Sequence, residues 1–216
     1  MIWNPMAPPF SATLVVVGGQ CRKVGKTALA VDLIQSFRDI EWTAVKITPH
    51  CDSGCPVNGP GCGCAANEHA FAIREETSAS GATDSGRFLA AGARRSLWVE
   101  TKSRRLGDAL ASLNAALERD HAVIIESNAI VEFWRPDAFL MVLDPANPDF
   151  KPSAQSALAL ANAFVLRSPH PENSSSPAAS LGIPGRTKFL QPLGQPLPTS
   201  MQIFVRQLLV QSRHPT

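Results

Sequence analysis

Thr13-Leu-Val-Val-Val-Gly-Gly-Gln-Cys-Arg-Lys-Val-Gly-Lys-Thr27 joins two segments of different periodicity. Residues 13 to 17 form an unbroken apolar run rich in β-branched side chains, the pattern of a strand buried on both faces. Gly18 and Gly19 end it. From Thr27 the apolar positions change period, and Ala30, Leu33, Ile34 and Phe37 fall at i, i+3, i+4 and i+7, which predicts an amphipathic helix. The junction between strand and helix ends on Gly25-Lys26-Thr27. Backbone N–H groups and a helix N-terminus aimed at an anion, a lysine for terminal phosphates and a hydroxyl for Mg²⁺ are the parts of a phosphate-binding loop. Gly19, Gln20, Arg22, Lys23, Val24, Gly25, Lys26, Thr27 and Ala28 are the residues expected to meet a nucleotide.

Outward from the loop, apolar runs at 43–48, 96–99, 122–126, 138–143 and 162–167 read as further strands. Helical spacing appears at 88–93 and at Leu106, Leu110, Leu113 and Leu117. Strands alternating with helices predict an α/β fold: a mostly parallel sheet flanked by helices on both faces. The chain of 216 residues fits a single domain, 1–216. Two stretches break the rhythm. Residues 49–86, rich in Gly, Cys and Ser, read as an irregular insertion, and residues 168–198, with seven prolines, read as an extended connector. Met201, Phe204, Val205, Leu208 and Leu209 predict a packed helix over 199–213.

A net charge of +2 with 18% charged residues argues against a basic surface for nucleic acid. No apolar run approaches the roughly 18 residues of a membrane span, and the opening residues lack a signal-peptide pattern, so a cytoplasmic protein is expected.

Three side chains suit the chemistry of the loop. Glu126 closes the strand 122–126, at the sheet edge where a Mg²⁺-binding carboxylate belongs. Asp84, which opens Asp84-Ser-Gly-Arg87, reads as the N-cap of the helix that follows it or, as the resemblance of that stretch to the molybdopterin-guanine dinucleotide biosynthesis protein B family implies, as a second Mg²⁺ ligand. Lys46 interrupts an apolar strand and needs an anion partner, a phosphate or a substrate group. Lys26, Lys46 and Glu126 are therefore the candidate catalytic residues.

The insertion reads His50-Cys51-Asp-Ser-Gly-Cys55-Pro-Val-Asn-Gly-Pro-Gly-Cys62-Gly-Cys64, followed by His69. Four thiols on a Gly- and Pro-rich segment in a reducing compartment suit a soft metal, with Zn²⁺ favoured over an iron–sulfur cluster. The ligands would be Cys51, Cys55, Cys62 and Cys64, or three of them with His50 or His69. An unmetallated or redox-active loop is the other reading. Cys21 reads as a packing residue.

The loop spacing Gly19-x5-Gly25-Lys26-Thr27, with Val24 before the second glycine, resembles that of the dethiobiotin synthetase and cobyrinic acid synthase families. A longer resemblance joins this loop to Val45-Lys-Ile-Thr-Pro-His50, Asp84-Ser-Gly-Arg-Phe-Leu-Ala-Ala-Gly-Ala93 and Val123-Ile-Ile-Glu126. Those pieces are similar to the molybdopterin-guanine dinucleotide biosynthesis protein B family. That family has a shorter loop spacing and a glycine after its glutamate where this chain has Ser127-Asn128, and it lacks the cysteine insertion. The resemblance implies a three-layer P-loop NTPase fold, Mg²⁺ with GTP or ATP, and an accessory role in molybdenum-cofactor biosynthesis. A molybdopterin-type ligand or a cofactor-maturation protein would be the partner, and a homodimer stays open. The synthetase resemblance implies an ATP-dependent carboxylate ligase with Lys46 facing the substrate. A third reading is a non-enzymatic module in which nucleotide switches a metal-loaded insertion.

Overall fold

A computed structural model describes residues 5–50, 54–57, 59–60, 69–168 and 186–211. The strands are β1 (Thr13–Gly19), β2 (Trp42–His50), β3 (Gly54–Cys55), β4 (Gly59–Pro60), β5 (Phe71–Glu75), β6 (Arg95–Lys102), β7 (Ala122–Glu126), β8 (Ala138–Leu143), β9 (Ala163–Leu166) and β10 (Thr187–Leu190). The helices are α1 (Lys26–Ser36), α2 (Asp84–Ala91), α3 (Leu106–Leu117), α4 (Pro152–Ala157) and α5 (Thr199–Gln211). Eight strands form one sheet in the order β10-β9-β8-β1-β7-β2-β6-β5. All its pairs are parallel except β5 with β6.

The unbroken apolar run of β1 has its reason in this order. Leu14 and Val16 point into one core and Val15 and Val17 into the other, all four fully buried. On one face the sheet is covered by α3 and α4, through Leu106, Ala109, Leu113, Leu117, Ala154 and Ala157. On the other lie α1, α2 and α5, through Leu29, Leu33, Phe88, Met201 and Val205. Each such leucine contributes about 1.5–3 kcal/mol by burial. Truncating Leu33, 1% exposed, to alanine would cost roughly 2–5 kcal/mol.

Both interruptions contain more regular structure than the sequence reading gave them. β2 runs on to His50, β5 pairs antiparallel along the edge of the sheet, and α2 begins at Asp84. The N-cap of α2 is Thr83, whose hydroxyl accepts the Gly86 N–H at 2.9 Å, so the capping reading of Asp84 is corrected. Within 168–198, β10 pairs with β9 and closes the other edge; residues 169–185 lie outside the described set. No helix among the described residues is long and apolar enough to cross a membrane.

Candidate functional site

The C-terminal ends of β1, β2 and β7 open onto a cleft of about 880 Å³, with the loop 19–27 along one wall. Gly25 takes a left-handed conformation, φ 97°, and its successor Lys26 opens α1. A side chain at Gly25 would be strained by that φ and would meet Arg167 Nε and Leu193 Cδ2 at 2.9 Å. The turn brings the start of α1, whose first N–H groups have no partner within the helix, to the lining of the cleft.

Lys26 Nζ donates to the Cys21 carbonyl at 2.8 Å, inside the loop. Burial lowers its pKa, and the nearby Glu126 carboxylate opposes that shift. Thr27 Oγ1 donates to Glu126 Oε2 at 2.7 Å. Glu126 is 2% exposed yet lines the cleft. Its other oxygen, Oε1, lies 2.5 Å from Lys46 Nζ, which also pairs with Asp84 Oδ2 at 2.8 Å. Burial would raise the Asp84 pKa, but hydrogen bonds from Lys46 and Thr27 and the Lys46 and Arg87 charges outweigh it and hold the carboxyl below its ordinary value. The sequence-predicted Thr27, Lys46, Asp84 and Glu126 thus meet in one cluster. Two carboxylates and a hydroxyl are an all-oxygen donor set, which fits Mg²⁺.

Arg22, Lys23, Gly19 and Ala28 also line the cleft. Gln20 is not among the lining residues. Its amide donates to Val142 O, its carbonyl accepts from Lys151 N, and its side chain binds Asn147 O, Asp149 O and Asp144 N. Gln20 is 1% exposed and serves as a strut between the loop and the 144–151 connection. The Val24 side chain packs into the core. Cys21 does the same, and burial raises its thiol pKa.

Sequence reasoning missed two residues that hold the loop. Asn128 accepts from Gly19 N at 2.7 Å and donates to Gly19 O at 2.9 Å. Arg167, 8% exposed, donates to Gly25 O at 2.7 Å and to Gln191 O and Oε1, both at 3.0 Å. Gln191 in turn donates to Asp32 of α1 at 2.7 Å. Arg167 ends an apolar strand just as Lys46 interrupts one, so the same signal was present there.

In the insertion, Cys55 is buried and its Sγ lies 3.5 Å from His69 Nδ1. Arg74 of β5 ties this turn to the sheet, donating to Pro56 O and Val57 O while pairing with Glu100. Cys51, Cys62, Cys64 and the His50 side chain lie outside the described residues. Among the described residues no three His, Cys, Asp or Glu side chains gather as a metal-holding group.

The chain has the three-layer α/β fold of P-loop NTPases. It is similar to HypB from Helicobacter pylori, solved in complex with nickel, at a TM-score of 0.50 and 15% identity over 94% of this chain and 88% of that one. It is also similar to LpxK from Aquifex aeolicus, solved in complex with ATP, at a TM-score of 0.50 and 15% identity. That match covers 87% of this chain and 55% of LpxK. These are likenesses of fold. No protein-family model and no curated protein matches the chain.

Proposed function

We propose that this protein binds a Mg²⁺-bound nucleoside triphosphate in the cleft and hydrolyses it or transfers its terminal phosphoryl group. The observation that carries this reading is the junction of Gly25, Lys26 and Thr27, a left-handed glycine opening a helix with the Thr27 hydroxyl 2.7 Å from the Glu126 carboxylate. Loop amides and the N-terminus of α1 would cradle the phosphates. Lys26 would leave the Cys21 carbonyl for the β- and γ-phosphate oxygens. Thr27 and Glu126, with Asp84 beside them, would hold Mg²⁺, which would supply charge neutralisation to the phosphates. In such a site the protein acts by position and charge and forms no covalent intermediate.

Resemblance to the guanine-dinucleotide family supports an accessory role in molybdenum-cofactor biosynthesis, with GTP or ATP as the nucleotide and a molybdopterin-type ligand or a maturation protein as partner. Calorimetric titration of the full chain with ATP and GTP, with and without Mg²⁺ and a molybdopterin-type ligand, tests this. The reading expects Mg²⁺-dependent binding of a triphosphate, weakened about a hundredfold, or 2.7 kcal/mol, in Lys26→Ala. Unchanged affinity in that variant overturns it.

A metal-handling role for the insertion is a second reading. It is favoured by the approach of Cys55 to His69 and by the nickel in the HypB structure. Zn²⁺ on the cysteine segment would fix the insertion beside the cleft, since β2 runs from Lys46 directly into it. Metal analysis of the purified protein should give one Zn²⁺ or another soft metal per chain, lost in Cys55→Ala. Absence of stoichiometric metal, with all the thiols of the segment open to alkylation, removes this reading.

A further inference from the structure

Glu126 and Asp84, two of the side chains suited to a divalent cation, already hold a cation of the chain's own, with Thr27 bonded to Glu126 beside them. Lys46 Nζ lies 2.5 Å from Glu126 Oε1 and 2.8 Å from Asp84 Oδ2, while Glu126 Oε2 accepts from Thr27 Oγ1 at 2.7 Å. The backbone dictates this meeting. Lys46 and Glu126 are register partners on the neighbouring parallel strands β2 and β7. Asp84 stands in the first turn of α2, just after the Thr83 cap. The Glu126 side chain is 2% exposed and that of Lys46 18%, so neither charge could be left alone there without a large desolvation penalty.

We infer that Lys46 is an internal stand-in for the divalent cation. In the nucleotide-free protein its ammonium neutralises Glu126 and Asp84 and denies them to free Mg²⁺. It gives up the position only when the metal arrives with nucleotide phosphates. Charge decides the exchange. Free Mg²⁺ would gain two carboxylates and a hydroxyl but would have to evict Lys46 from both its anions, with Arg87, 3.6 Å from Asp84 Oδ1, adding to the positive charge. A triphosphate changes the balance, because it brings further oxygen ligands for the metal and a new anion for the displaced ammonium. Metal binding is thereby made conditional on nucleotide. The inference rests on the nucleotide reading above, but its decisive test is made without nucleotide.

Mn²⁺ is the probe, followed by the electron paramagnetic resonance signal of the free ion on the full chain. Wild-type protein without nucleotide should bind Mn²⁺ weakly. Lys46→Met should bind it at least about tenfold more tightly, a coupling of ordinary size. Lys46→Arg, which keeps the charge, should stay weak, and Lys46→Met with Glu126→Gln should lose the gain. Equal Mn²⁺ affinity in wild type and Lys46→Met overturns the inference. Should Lys46→Met fail to fold by circular dichroism, Lys46→Gln takes its place with the same expected gain, and tight one-to-one Mn²⁺ binding by wild type without nucleotide overturns the stand-in in either case. Failure of wild type to bind any triphosphate, with the Lys46→Met gain intact, overturns the nucleotide reading instead.

Discussion

On the loop wall of the cleft, Gly19 is held by the Asn128 amide, Gln20 is built into the 144–151 connection, and the Gly25 carbonyl is held by Arg167. On the facing wall, Lys46 is held between Glu126 and Asp84, with Arg87 beside them. The first wall, Lys26 apart, is fixed by hydrogen bonds to backbone, whose geometry does not depend on what ion is present. The second is fixed by a balance of charges, which any added cation or anion must disturb. A rigid cradle thus faces a wall that responds to ligand. Two carboxylates show the difference in their titration. Burial raises the pKa of Asp32, against the opposing effects of its Gln191 hydrogen bond and the Arg167 charge. Asp84 is shifted the other way, because the Lys46 and Thr27 hydrogen bonds and the cations around it overcome its burial.

The largest break in this contrast should come from Gly25→Val. Left-handed backbone costs a β-branched residue about 1–2 kcal/mol, and the new side chain would collide with Arg167 and Leu193. A loss of about 3 kcal/mol or more in urea denaturation is expected, with loss of nucleotide binding. Arg167→Met leaves Gly25 O without its side-chain donor and Gln191 O and Oε1 unpartnered, at roughly 1–3 kcal/mol. Asn128→Ala removes both hydrogen bonds to Gly19 and should cost about 1–2 kcal/mol by the same measurement. Because neither partner in that pair is charged, its effect should be the same at low and high salt.

The smallest effect should be on pH dependence. The Asp84 pKa is depressed in the folded protein, so its contribution is present above the ordinary carboxylate pKa and lost as pH falls through the lower folded value. Asp84→Asn should flatten that acid limb, modestly, since the side chain is 38% exposed. Asp32 has the opposite sign. Its folded pKa is raised, so the fold is favoured while it is protonated and loses stability as pH rises from the unfolded toward the folded value. Asp32→Asn should therefore remove a loss of stability above that window. Identical pH profiles for the two variants would erase the distinction between the walls.

The central features were legible in the sequence because local signals carried them. β1, the glycine turn and α1 announce themselves by a change of period between Val17 and Ala30, and Glu126 by its place at the end of an apolar strand. The edge strands were not legible. β5 has no fully buried residue, and β10 buries only Phe189 inside a proline-rich stretch, so neither shows the continuous apolar run of a central strand. Asn128 and Arg167 were missed because they act on Gly19 and Gly25 across more than a hundred residues of chain, and only the strand order brings them together. The bracing role of Gln20 is hidden for a related reason. Its position in the loop suggested phosphate contact, while its partners lie in the distant 144–151 connection.

Hydrogen exchange, read by mass spectrometry with and without Mg²⁺ and a non-hydrolysable triphosphate, separates the two walls. A rigid cradle facing a ligand-responsive wall predicts two signatures. Amides of 19–28 should gain protection from the bound phosphates, and segments 46–49 and 84–87 should change as Lys46 and Asp84 exchange partners. Binding with no change in 19–28, or with its protection confined to another surface, would exclude this loop as the phosphate cradle.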